Sequence, residues 1–155
     1  SGNTFNFSKT YAYADYSFGN STRTETATIG DAAGNTTTET LTINISKSDN
    51  QDPIISSFSS NLSSVTLKTS DQTKSITFTT VATDNVGIGS VSGPTGSSEV
   101  SSSAPNYVFS KTYDYDDFSF GTTTISESTV ATDTAGNTSS NSLNITILKI
   151  HDQNP

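Results

Sequence analysis

The chain has 155 residues, only 30% of them hydrophobic and 14% charged, with a net charge of −8, and Ser and Thr fill the gap with 28 each, so a wide core is out of reach while two thin facing sheets are not. It has no Cys, Met or Trp and one His, at position 151, which excludes thiol catalysis, Cys-ligated zinc, iron–sulfur clusters and any His-dependent triad. The acidic balance disfavours nucleic acid and anionic membrane surfaces as partners, and no apolar run is long enough to insert in a bilayer.

From the N-terminus, the run Phe7-Ser8-Lys9-Thr10-Tyr11 through Tyr16-Ser17-Phe18-Gly19 returns as Phe109-Ser110-Lys111-Thr112-Tyr113 through Phe118-Ser119-Phe120-Gly121. The offset is 102 residues, and it continues without a gap to Pro53 and Pro155, with 24 identities in 53 pairs. Residues 1–52 therefore read as the C-terminal half of one repeat, and 53–155 as one complete repeat. The half repeat lacks its own first strands, so part of its core is expected to be open, or completed by a neighbouring chain segment. With no initiator Met and no signal sequence, the chain reads as a window of a longer mature protein.

In the complete repeat the apolar period is two, not 3.6. Strands are expected at Ile54–Phe58, Ser64–Lys68, Lys74–Ala82, Gly87–Val91, Tyr107–Tyr113, Thr122–Thr132 and Ser139–Lys149, with a further short one near Ser98–Ser101. Apolar residues at Val65-x-Leu67, Ile76-x-Phe78, Tyr107-x-Phe109, Tyr113-x-Tyr115 and Leu143-x-Ile145-x-Ile147 mark the inner faces, and Thr and Ser the outer ones. Turn residues such as Asp84-Asn85, Gly93-Pro94 and Ala135-Gly136-Asn137 separate the runs. In the Asp-x-Ala-Gly-Asn turn, Gly permits positive φ and Asn tolerates it. The expected fold is all-β: an immunoglobulin-like antiparallel sandwich of about seven strands, repeated in tandem every 102 residues.

Three local runs carry a family resemblance: Val130-Ala131-Thr132-Asp133-Thr134-Ala135-Gly136-Asn137 with its echo Thr28–Asn35, Val81-Ala82-Thr83-Asp84-Asn85-Val86-Gly87-Ile88, and the boundary run Asp49-Asn50-Gln51-Asp52-Pro53. Together they resemble the tandem Ig-like repeats of large bacterial surface proteins and adhesins. The resemblance implies an extracellular or cell-surface location. It implies a structural role in a filament or adhesin stalk, with neighbouring copies of the same repeat as partners. A calcium-dependent adhesion module or a carbohydrate-binding module is the alternative.

Candidate sites follow from acids, amides and rings. Asp15, Asp49, Asp52, Asp84 and Asp133 could gather at the repeat junction and hold Ca2+, which takes six to eight oxygens. The run ending at Pro53 is similar to a cadherin linker, although the second boundary, from His151 to Pro155, has lost two of the acids. Lys9 with Glu25, and Lys111 with Glu127, are expected to point inward from opposite sheets as structural ion pairs, unless a bulge turns Val130 in and the charges out. Sequons at Asn6, Asn20, Asn35, Asn44, Asn61, Asn137 and Asn144 are candidate N-glycosylation sites, and surface glycans are counted among the partners. Seven sequons are no more than a chain this rich in Ser and Thr carries by composition. Phe5, Phe7, Tyr11, Tyr13, Tyr16 and Phe18 suit core and corner packing, in the manner of a tyrosine corner, better than sugar stacking.

Overall fold

The computed structural model describes residues 4–153, and in it the chain is built from β-strands. It divides into two compact units, Ser1–Asp49 and Asn50–Pro155, three residues ahead of the boundary that the repeat sets.

The first unit is a hairpin preceded by a short 3-10 turn at Tyr13–Asp15. Strands β1 (Gly19–Gly30) and β2 (Thr36–Lys47) pair antiparallel along their whole length, from Gly19 opposite Lys47 to Gly30 opposite Thr36. The aromatic segment before the hairpin forms no strand from Thr4 to Ala12.

The second unit holds eight strands among the described residues: β3 (Ile54–Ser60), β4 (Ser64–Lys68), β5 (Thr73–Thr83), β6 (Ile88–Ser92), β7 (Ser98–Ser103), β8 (Asn106–Asp114), β9 (Gly121–Asp133) and β10 (Thr138–Ile150). They form two four-stranded sheets, in the orders β3-β5-β8-β7 and β4-β10-β9-β6. Both sheets contribute to one core. Ile76, Phe78, Ala82, Tyr107, Phe109 and Tyr113 come from the first, and Val65, Leu67, Ala131, Ile145 and Ile147 from the second. Two packed sheets of this kind make a β-sandwich.

The inner faces follow the alternation of the sequence, because side chains on a strand point to opposite faces in turn. The strand pairs are antiparallel, as expected, save that β4 runs parallel to β10, with Ser64 opposite Thr146 and Lys68 opposite Ile150. A strand joined to β3 by a tight corner changes sheet, and it reaches the free edge of β10 in the same direction as β10 itself. The further short strand expected near Ser98–Ser101 is present as a full edge strand against β8, Ser98–Ser103, and makes eight in this unit among the described residues. Both of its faces are exposed, so no apolar row announces it.

A buried polar bridge joins the sheets. Thr80 on β5 and Thr129 on β9 are fully buried, and their hydroxyls lie 2.9 Å apart. Thr129 Oγ1 donates onward to the carbonyl of Ser92 at 2.8 Å. Each hydroxyl is thus partnered, as burial requires.

Candidate functional site

The two units repeat the same local construction 102 residues apart. In the second unit Lys111 on β8 reaches across the sandwich, and its Nζ donates to Glu127 Oε1 on β9 at 2.7 Å. Tyr113, two residues on, donates its hydroxyl to the same oxygen at 3.0 Å. The Lys111 and Glu127 side chains are 20% and 5% exposed, and Val130 lies outward at 36%, so the charges face in and the strand does not bulge there. Burial, aided by the neighbouring carboxylate, pushes the Tyr113 hydroxyl well above its ordinary range. In a tyrosine corner the hydroxyl bonds to backbone, whereas here it bonds to a carboxylate.

In the first unit Lys9 Nζ lies 2.6 Å from both Glu25 oxygens, and Tyr11 donates to Glu25 Oε1 at 3.2 Å. This pair stands in solvent, with side-chain exposures of 59% and 30%. The ammonium's hydrogen bond holds Glu25 below the ordinary carboxylate range and raises Lys9 above its own. The inward position expected for Lys9 is therefore not a buried one.

One element of the construction was not foreseen in the sequence. Lys149, buried near the end of β10, donates its Nζ to the carbonyl of Phe118 at 2.8 Å. The same ammonium lies 3.8 Å from the Tyr115 ring centroid and 5.2 Å from that of Phe120. Lys47 repeats this, donating to the carbonyl of Tyr16 at 2.8 Å and lying 3.9 Å from Tyr13 and 4.7 Å from Phe18. The signal was present: Lys47 and Lys149 are identical partners at the 102-residue offset. The aromatic residues after the ion pair therefore cage a lysine, and Tyr115 packs edge-to-face on Phe120.

The Asp-x-Ala-Gly-Asn turn is held by its first and last residues. Asp133 Oδ1 accepts from the backbone N–H groups of Ala135, Gly136 and Asn137 at 2.6–2.8 Å, and Oδ2 accepts from Asn137 Nδ2 at 2.7 Å. Burial pushes the Asp133 carboxyl up, but these hydrogen bonds outweigh it and hold the carboxyl below its ordinary value. Asp31 repeats the arrangement with Ala33 and Asn35, and is lowered chiefly by the Asn35 side chain. Gly34 and Gly136 take φ of +88° and +98°, as a turn residue without a Cβ can. Asn does not take the left-handed conformation, since no described non-glycine residue has positive φ. It serves as a side-chain donor instead.

Asp84, just after β5, accepts at Oδ2 from the N–H groups of Val86 and Gly87 at 2.7 and 2.9 Å. Its loop meets the Asp133 turn, where Thr134 N donates to the Gly87 carbonyl at 3.0 Å. Asp84 and Asp133 each offer a carboxylate oxygen within 4.8 Å of the other, so these two candidate ligands are brought together. Asp52 is exposed on the chain entering the second unit. Asp15 ends the 3-10 turn of the first unit, and Asp49 is that unit's last residue.

Among the candidate glycosylation sites, Asn6, Asn20, Asn44, Asn61 and Asn144 are exposed. The Nδ2 atoms of Asn35 and Asn137, which a glycan would occupy, are hydrogen-bonded to Asp31 and Asp133. Asn137 Nδ2 also donates to the Gln51 carbonyl at 3.2 Å.

No family model and no curated protein sequence matches the chain. No helix among the described residues is long and apolar enough to cross a membrane.

Proposed function

We propose that this chain is a structural repeat of an extracellular microbial filament or adhesin stalk, in which Ig-like sandwiches joined in tandem serve as spacers without catalysis. One observation supports this above the others: what recurs at the 102-residue offset is scaffold. The Lys–Glu–Tyr cluster, the caged lysine and the Asp–Asn turn all return with the same partners. A ligand-binding module would be expected to keep a groove rather than a frame, and the surface of Ser and Thr is hydrated without charge. In an array each unit draws stability from itself and from its neighbour.

The test is small-angle scattering on polypeptides of one, two and three copies of residues 53–155. Strands up to 13 residues long, at about 3.3 Å per residue, set a step of roughly 40 Å per copy. A constant increment near that size supports the spacer. Collapsed arrays, or specific retention on immobilised glycans, would overturn it in favour of the carbohydrate-binding alternative.

A second reading has its own support. Asp84 and Asp133 converge, and Oδ1 of Asp84 is buried with no hydrogen-bond partner among the described residues. An oxygen of that kind suits a hard cation. On this reading Ca2+ is held in the second unit by Asp84 and Asp133, whose carboxylate oxygens lie within 4.8 Å of each other. A bound ion raises the unfolding midpoint by linkage. A midpoint unchanged between millimolar calcium and chelator would sink this reading and leave the spacer standing.

A further inference from the structure

The face that a sandwich turns inward lies in solvent on residues 4–48. Phe7 is 76% exposed, whereas its counterpart 102 residues on, Phe109, is 4% exposed. Leu41 is 64% exposed, while Leu143 packs against the core. Ile43 and Ile45 are half-buried, but Ile145 and Ile147 are fully enclosed. A groove of about 610 Å³ opens here, lined among others by Phe7, Ala27, Leu41 and Ile43, with Lys9 and Glu25 on its wall. In the second unit the same positions are covered by β4 and β5, whose Val65, Leu67, Ile76 and Phe78 belong to the same core cluster. There β5 pairs with β8 from Thr73 opposite Asp114 to Val81 opposite Asn106, and β4 pairs with β10.

We propose that residues 4–48 are a strand acceptor whose occupant is a polypeptide segment with the residue pattern of 54–102, joined in phase ahead of Ser1. The apolar rows Val65-x-Leu67 and Ile76-x-Phe78 are the ones that fit the exposed face. The strands of the occupant would pair with the Thr4–Ala12 segment, which forms no strand here, and with the outer edge of β2. The face also sets one difference from the segment seen here. Thr80 is satisfied by the hydroxyl of Thr129, but the residue 102 positions before Thr129 is Ala27. A hydroxyl at the Thr80 position would be buried opposite a methyl group, so the fitting occupant carries an apolar residue there. The inference rests on the repeat and not on the fibre role, and its failure would leave that role untouched.

The experiment grafts residues 53–102 directly ahead of Ser1 of the intact chain and follows amide hydrogen exchange in β1 and β2. The expected result is exchange slowed by about a hundredfold or more relative to the ungrafted chain. Thr80→Val in the graft slows it further, and Leu67→Asp with Phe78→Asp in the graft abolishes the gain. Unchanged exchange with both the native and the Thr80→Val graft, while β9 and β10 stay protected, would overturn the proposal. So would a concentration-dependent dimer of the ungrafted chain in which β1 and β2 are already protected, since the occupant would then be a second copy.

Discussion

The ammonium of Lys149 lies 3.8 Å from the centre of the Tyr115 ring, enclosed near the end of the last strand. With its hydrogen bond to the Phe118 carbonyl, it ties β10 to the turn that leads into β9. Lys149→Met keeps the stem but removes the charge and the donor. It should cost about 2 kcal/mol of stability, read by urea unfolding. Tyrosine fluorescence is the natural signal, because the chain has six Tyr and no Trp. An unchanged midpoint would mean that the cage adds nothing to the folded state.

Glu127 is the shared acceptor for Lys111 and Tyr113, and removing it strands both donors. Glu127→Leu alone should therefore cost about 3 kcal/mol or more. Glu127→Leu with Lys111→Met removes both charges, and it should recover most of that loss, because a buried ion pair adds little beyond its own desolvation. A double-mutant cycle in denaturant measures the difference. Additive losses would contradict the pairing.

Asp133 gives the fold a defined response to acid. Its folded value is depressed by the hydrogen bonds of the turn, so the folded state holds a proton there less readily than the unfolded chain does. The resulting stabilisation is complete above the unfolded value of about 3.9 and is lost as pH falls through the depressed folded value. Asp133→Asn should be less stable than the parent at pH 7, with the gap narrowing toward pH 3. Thermal midpoints across that range test it. Asp31 and Asp152 are depressed as well, the latter first by its hydrogen bond from the Ser70 side chain, so the parent's own acid loss is shared among several carboxylates.

Gly93 sits beneath the Phe109 ring, and a Cβ there would come within 2.3 Å of the ring carbon Cγ. Gly93→Ala should therefore displace Phe109 and lower stability by about 2 kcal/mol, as overpacking of a core does. Phe109→Leu in the same background should restore part of the loss. Full stability of Gly93→Ala would mean that the Gly93–Pro94 turn yields freely.

The fold was legible wherever a strand has one wet face and one dry face. Ser64–Lys68 shows this well, because Val65 and Leu67 alternate with Thr and Ser and both are buried. The Lys111–Glu127 contact was legible for a related reason: both residues recur at the repeat offset, and alternation turns both inward. Ser98–Ser103 was only half visible, since an edge strand exposed on both faces has no apolar period to display. The parallel course of β4 beside β10 leaves no local mark either, because pairing direction is set by the path between strands and not by their residues. Lys149 escaped for another reason. A lone cation at the end of a strand, like Lys47 and Lys149, reads as solvated until the rings that receive it are placed in space.

The parallel contact between β4 and β10 also bears on how this unit carries tension. A pull on its two ends arrives at β10 directly and at β4 through β3, and it drives the two strands past each other along their common axis. Five facing pairs, from Ser64 with Thr146 to Lys68 with Ile150, then resist as a set and do not open one after another. The slanted, evenly spaced hydrogen bonds of a parallel ladder lie across that direction of slip. A parallel ladder placed this way resists extension by shear, all five pairs at once.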